Sequence, residues 1–329
     1  MIIALLLLIL SLLYPQMIFN GETMGTSYTI KIADQTNEQI DYINLKNKID
    51  SILTKINLLF STHIDNSEIN IFNNTISLDP IVVSSDFYYL VSRGKEIYQI
   101  SNGSFDITVN PLINLWGFNS GRVALSIPDS ALIDSVTKHI GSNKLLLKHQ
   151  SIQKLDSHLK IDLNGIAKGW GVDQISRLLE LEELYNYMIE IGGEIKVKGY
   201  NHNNHPWNIG IRNPDLNGKV ILDTLYITDK AIATSGTYQN YFSYNGTNYS
   251  HLINPKTGYP IIHELVSAII IGNNCTTADA IATSVMVKGF DNGLKWINTL
   301  NNVECMLIKK LPNGKLEYGK SNGFTFNFN

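Results

Sequence analysis

Between Asp162 and Gly171 the chain reads DLNGIAKGWG. A carboxylate, a lysine and the glycines Gly165, Gly169 and Gly171 crowd into this short run. Leu159, Ile161 and Leu163 alternate with polar residues, which predicts a strand entering it. Val172, Ile175, Leu178 and Leu179 recur at helical spacing, which predicts a helix leaving it. Glycines at such a junction let a ligand approach the backbone, and the N–H groups of a helix start favour an anion. Lys168 adds a mobile positive charge, and Asp162 adds a carboxylate at the entrance. A plain strand-to-helix turn with a surface lysine has the same composition.

Asp279 and Thr283 stand four apart on a predicted helix, so their oxygens share a face. A carboxylate and a hydroxyl so placed suit Mg²⁺, which takes few protein ligands and keeps positions for phosphate. Thr276 followed by Asp279 also fits a capping box, which would make the carboxylate a helix cap instead. His251 precedes a turn, where an imidazole serves as a general base or simply packs between strands. Asp106 and Glu194 each read either as ligand contacts or as polar residues of a loop and a bulge. Ser235 precedes a glycine but lacks the G-x-S-x-G elbow of serine hydrolases. No G-x-G-x-x-G and no Walker loop is present, which argues against a Rossmann or P-loop protein.

The elements that must hold these residues follow from periodicity and punctuation. SYTIKIA, 27–33, alternates as a strand. Asp41 to Phe60 is an amphipathic helix, and a second helix capped by Ser84 or Ser85 runs to about Ile100 and stops at Asn102-Gly103. Pro128-Asp129 opens a third, to about Ile140, before paired strands at 145–147 and 152–155. Beyond the central run the pattern turns β-rich, with turns at Gly192-Gly193, Asn245-Gly246 and Asn313-Gly314. A helix at 276–288 interrupts it. Helices mixed with mostly antiparallel strands predict an α+β fold.

A chain of 329 residues, 44% hydrophobic and 17% charged, has material for a large core. A net charge of −3 without basic runs argues against nucleic acid as partner. Cys275 and Cys305 lack metal spacing; a disulfide between them is allowed but not required. Ile2 to Leu13 is apolar except for Ser11, which suits the core of an export signal. Extended to Phe19, across Pro15 and Gln16, it suits a retained membrane anchor. The expectation is export, with the folded part starting near Gly21.

Nine segments in register resemble the ApbE family, the FAD:protein FMN transferases. They are MGTSY from Met24, FSTHIDNSEINIFN from Phe60, GSFDITVNPLINLWGF from Gly103, DLNGIAKGWGVD from Asp162 and IGGEIKVKG from Ile191. PWNIGIRNP from Pro206, AIATSGTY from Ala231, HLINPKTGYP from His251 and ADAIATS from Ala278 complete the set. The resemblance implies an α+β fold with a flavin cleft between two lobes and a transferase domain over 21–329, and the apolar run makes 1–20 the expected leader or anchor. It implies Mg²⁺-dependent transfer of FMN from FAD to a threonine or serine hydroxyl of a target protein, releasing AMP. By the same resemblance the Gly165 carbonyl, Asp279 and Thr283 bind the metal. FAD contacts fall at Met24, His63, Ser104, Phe105, Asp106, Asp162, Lys168 and Ile253, and His251 is the catalytic base, working beside Lys168.

His63 and Asn254 depart from the pattern. The first stands where tyrosine is common beside the flavin, the second where aspartate usually precedes the Pro-x-Thr-Gly turn. Implied acceptors are subunits of membrane redox complexes such as sodium-pumping NADH:quinone reductase, on the periplasmic side of the inner membrane. The competing readings are an FAD pyrophosphatase that uses the same site for water attack and a flavin-binding protein without turnover.

Overall fold

The computed structural model describes residues 16–34, 41–118, 127–214, 221–237 and 241–326. The apolar run at 1–15, on which the expectation of a leader rests, lies outside these residues. The first strand, β1 (Met17–Thr23), begins ahead of Gly21 and pairs with β2 (Thr26–Ile32), so residues 17–20 belong to the sheet. In the turn between them Met24 and Gly25 both take positive φ, 49° and 71°. Glycine accepts that conformation freely; methionine does so at a cost.

α1 (Tyr42–Phe60) buries Leu45, Ile49, Leu53 and Ile56 along one stripe, and the Asp41 side chain caps it by accepting the Asn44 N–H. α2 (Glu68–Asn74) is capped by Ser67. After β3 (Ile81–Val82), α3 (Ser85–Ile100) is capped by Ser84 and stops where Asn102 and Gly103 turn to positive φ, as expected. α4 (Asn110–Leu115) follows, and α5 (Ser130–Thr137) ends short of Ile140. β4 (Leu145–Lys148) and β5 (Ser151–Lys154) pair with each other and with β3 in a three-stranded sheet.

The strand expected at 159–163 does not form. Leu159, Ile161 and Leu163 are fully buried, so the alternation is real, but no ladder joins them. The Asn73 side chain takes the place of a neighbouring strand: its amide donates to the Ile161 carbonyl at 2.9 Å and its oxygen accepts the Ile161 N–H at 2.7 Å. The Asp162 N–H goes to the Ile107 carbonyl. The backbone is satisfied without a sheet.

α6 (Asn164–Leu181) starts earlier than the sequence suggests, so Gly165, Lys168, Gly169 and Gly171 lie inside a helix and not in a loop before one. The main sheet then forms from β6 (Tyr187–Ile191), β7 (Glu194–Lys198), β10 (Lys230–Gly236), β13 (Leu265–Gly272), β14 (Glu304–Lys310) and β15 (Leu316–Lys320), with the hairpins β8 (Trp207–Arg212)–β9 (Ile221–Ile227) and β11 (Tyr241–Tyr244)–β12 (Thr247–Ser250) apart from it. Its order is β1-β2-β6-β7-β10-β13-β14-β15, every neighbour antiparallel. α7 (Cys275–Lys288) and α8 (Phe290–Ile297) follow β13.

The period of two along the central strands sorts their side chains. Ala233, Ala268, Ile270 and Leu307 pack toward the helices, while Ile232, Ile269, Ile271 and Ile308 pack under β8 and β9. β13 is therefore covered on both faces, which its nearly continuous apolar sequence requires. Each isoleucine so buried contributes about 1.5–3 kcal/mol. A smaller separate cluster gathers Leu112, Trp116, Ile133, Ile140, Phe242 and Ile253. Cys275 and Cys305 are buried free thiols.

Candidate active site

α6 and α7 cross where neither can carry bulk. A Cβ on Gly169 would stand 2.4 Å from the Cys275 carbonyl oxygen, a backbone atom that cannot swing aside. Glycine in a helix interior costs about 1 kcal/mol relative to alanine, and the close crossing offsets it. At the crossing the Gly169 N–H donates to Asp279 Oδ2 at 3.0 Å. One turn earlier on α6, Gly165 meets Thr283: a Cβ there would lie 3.2 Å from the Thr283 hydroxyl and 3.1 Å from the Phe105 ring. The two segments singled out by spacing therefore face each other.

The capping-box reading of Asp279 fails. Asn274 caps α7 by accepting the Thr277 N–H, and Asp173 on α6 accepts the N–H groups of Cys275 and Thr276 at 3.0 and 2.9 Å. With the helix start already satisfied twice over, the Asp279 carboxylate is left for the crossing. Asp173 was not recognised in the sequence; its place four residues after Gly169 puts it on the same face of α6, which is the signal that could have found it.

Gly165, Lys168, Asp279 and Thr283 line a cleft, with Glu194 at the start of β7, Gly192 before it, and Thr234 to Gly236 of β10. Ser104, Phe105, Asp106, His251 and Ile253 line the same cleft, Phe105 beside Gly165, and Ile253 belongs to the smaller apolar cluster. Of the expected site residues, Gly165, Lys168, Asp279, Thr283, Asp162, Ser104, Phe105, Asp106, His251 and Ile253 thus converge. Met24 and His63 are not among the lining residues. Met24 sits at the tip of the first hairpin, its methyl 2.9 Å from where a Gly171 Cβ would be. His63 is exposed on the loop after α1.

Charge is concentrated on the α6–α7 side. Lys168 Nζ lies 3.2 Å from Glu194 Oε1 and 3.8 Å from Asp279 Oδ1, and its side chain keeps 28% of its surface open. Burial works against the ammonium charge, but Asp279 and Glu194 outweigh it and hold the pKa of Lys168 above the ordinary lysine value. Burial likewise drives both carboxylates upward: Asp279 rises despite Lys168 and the Gly169 N–H, and Glu194 is pushed up to about 8 despite Lys168. Glu194 Oε2 is buried without a hydrogen-bond partner. One ammonium and two carboxylates leave an excess of buried acceptor oxygen, which calls for a proton or a further cation.

Other polar groups fix the walls. Asp106 accepts the Thr108 N–H and hydroxyl on one oxygen, with the Ser142 hydroxyl on the same oxygen at 2.6 Å and the Ser142 N–H on the other. Burial raises its pKa even so. Ser142, absent from the sequence reading, anchors this loop. Asp162 accepts the Asn164 N–H at 2.8 Å, a carboxylate at the positive end of α6. Asn254 closes the turn after His251, its side-chain oxygen accepting the Lys256 N–H, so a neutral amide fills the turn role.

The donors fit a hard divalent cation. The Asp279 carboxylate and Thr283 hydroxyl are one helical turn apart, Gly165 touches Thr283, and the orphaned Glu194 oxygen lies among them. All are oxygen donors, the set a hard cation prefers.

Comparison with known proteins gives a consistent result. The pattern of the ApbE family matches residues 24–307. The FAD:protein FMN transferase of Vibrio cholerae serotype O1 is 36% identical over 306 residues, 93% of this chain and 91% of that protein. The Haemophilus influenzae protein of the same name is 35% identical over 301 residues, 90% of this chain and 87% of that one. The structure of flavin transferase ApbE from Vibrio cholerae superposes with a TM-score of 0.87 at 34% identity, covering 94% of this chain and 98% of that one. The apo flavinyl transferase ApbE of Pseudomonas stutzeri gives 0.86 at 29%, with 94% and 96% covered.

Proposed function

Since the chain belongs to the ApbE family, we propose that it is an FAD:protein FMN transferase whose chemistry takes place in the cleft between α6–α7 and the Ser104–Asp106 wall. The observation that carries the reading is the convergence of Lys168, Asp279, Thr283 and Gly165 at one helix crossing. FAD presents two linked phosphates, and a site for them needs fixed positive charge in a partly dry cleft.

Lys168 supplies that charge from the second turn of α6, and the start of the same helix faces the phosphates. Asp279, Thr283 and the Gly165 carbonyl would hold Mg²⁺, which would supply charge neutralisation at the pyrophosphate. His251 accepts the proton from the incoming threonine or serine hydroxyl. The hydroxyl oxygen bonds to the FMN phosphorus as the phosphoanhydride bond breaks, and AMP departs with the electron pair. Ser104, Phe105, Asp106, Asp162 and Ile253 form the remaining FAD contacts, with Met24 and His63 as outer ones. For His251→Ala we expect transfer to slow by about 10²-fold or more with FAD affinity little changed. An unchanged rate with weakened binding would assign His251 to binding instead.

The decisive assay incubates the protein with FAD, Mg²⁺ and an acceptor carrying the target hydroxyl. An acceptor heavier by one FMN, with matching AMP, is the expected result. Free FMN and AMP at the same rate without acceptor would sink the transferase reading in favour of FAD hydrolysis. His63, exposed where the resemblance implies a tyrosine beside the flavin, is the feature that favours this second reading.

The apolar run before Met17 supports export and action on the periplasmic side, with the run cleaved or kept as an anchor. Among the described residues no helix is long and apolar enough to cross a membrane. Acceptors of the class of sodium-pumping NADH:quinone reductase subunits fit that location. Mass spectrometry of membrane proteins with and without the gene tests both points at once.

A further inference from the structure

Away from the cleft, His139, Asp156 and His158 come together at the surface. His139 follows α5, and the other two sit in the turn after β5. One ligand atom from each can be chosen so that all lie within 4.8 Å of one another. His139 Nδ1 is 2.8 Å from Asp156 Oδ2, and His158 Nδ1 is 3.5 Å from Asp156 Oδ1. The two imidazole rings lie 4.7 Å apart, centroid to centroid. Around zinc, with arms of about 2.0–2.1 Å in tetrahedral array, neighbouring donors stand roughly 3.3 Å apart. The two histidine–carboxylate separations, 2.8 and 3.5 Å, bracket that value.

We propose that His139, Asp156 and His158 form a binding site for a divalent transition metal such as Zn²⁺, distinct from the cleft. Two imidazoles and a carboxylate suit zinc and its first-row neighbours, whereas the all-oxygen donors at α7 suit Mg²⁺. Three protein ligands leave a position for water. The carboxylate is already oriented: Asp156 Oδ1 accepts the His158 N–H at 2.9 Å. Burial opposes its ionisation, but that N–H, His139 and the charge of Lys144 keep its pKa below the usual carboxylate range. Lys144 Nζ lies 3.8 Å from Asp156 Oδ2 and donates to the Lys138 carbonyl, so it need not leave its own partner when a metal enters. Ser157 Oγ, 3.4 Å from His158 Nδ1, is the other polar neighbour. A metal here ties the end of α5 to the β5 turn, just before the run that brings Ser142 to Asp106.

Zn²⁺ is titrated calorimetrically, with Mg²⁺ saturating, into the full chain purified on a tag without histidine. Wild type should take up one equivalent. His158→Ala, a change at an exposed side chain, and His139→Ala should each weaken that uptake about tenfold or more, while Asp279→Ala retains it. Wild type without Zn²⁺ uptake at submillimolar metal overturns the proposal. So does a His158→Ala protein that binds as tightly as wild type, or uptake lost in Asp279→Ala, which would assign the ion to the cleft. Circular dichroism of each variant separates lost ligands from lost fold.

Discussion

Lys168 and Lys154 are both drawn away from bulk water, in opposite surroundings. Lys154 on β5 is fully buried, with its ammonium on the Thr75 carbonyl at 2.8 Å and 4.7 Å from the Phe72 ring centroid. No carboxylate pairs with it among the described residues. Burial, with Lys160 nearby, pushes its pKa down to about 8. Lys168 sits between two carboxylates and opens on a cleft, and its charge is secured. The difference lies in what surrounds the same side chain. In the three-stranded sheet a lysine fills a hole and satisfies a carbonyl. At the α6–α7 crossing it is held ionised where a polyanion can reach it.

The contrast breaks first at Asp279. Asp279→Ala should lower Mg²⁺-dependent AMP release by about 10²–10³-fold; normal release would remove the carboxylate from the chemistry. Lys168→Met should cost on the order of 10²-fold in kcat/KM for FAD, read from steady-state AMP release. Gly169→Ala tests the crossing itself, since its new methyl must displace the Cys275 backbone; we expect about 1–3 kcal/mol of lost stability in urea titrations. Lys154→Met is the counterpart and the smallest effect. Turnover should be unchanged, and stability at pH 7 should shift by no more than about 1 kcal/mol, because the lost hydrogen bond to Thr75 offsets the relief of a buried ammonium.

Lys154 also leaves a signature in pH. Its folded pKa lies below the unfolded one, so between pH 8 and the ordinary lysine value the unfolded chain binds more protons, and stability from this group rises with pH over that interval. The wild-type minus Lys154→Met difference should climb across it. A flat difference would mean that the lysine stays charged inside the protein.

Much of this was legible before any coordinates. The cap at Ser84, the helix starts near Asp41 and Asp129, and the turns at Asn245-Gly246 and Asn313-Gly314 are local chemistry and fell where expected. The cleft residues were legible as types at spacings and as a family pattern. What escaped depends on neighbours. Three glycines in a short run read as loop by propensity, yet α6 needs Gly169 because of a helix that follows more than a hundred positions later. Leu159 to Leu163 carried a strand's alternation, but Asn73 supplied the partner atoms. β1 was hidden because its residues adjoin an apolar run, and α8 because Gly289 and Gly293 look like breakers. Nothing near Glu194 in the chain announces Lys168, so its weight does not show in the sequence.

The hydrogen bond from Gly169 to Asp279 spans 110 positions, and the second of the two helices it joins arrives in the last fifth of the polypeptide. During synthesis the ribosome can release the early strands, α1 and α6 to collapse while the pocket for a dinucleotide does not yet exist. Competence to hold substrate is thus a late, single event in the life of each molecule. It depends on slow, long-range closure that partial chains never reach.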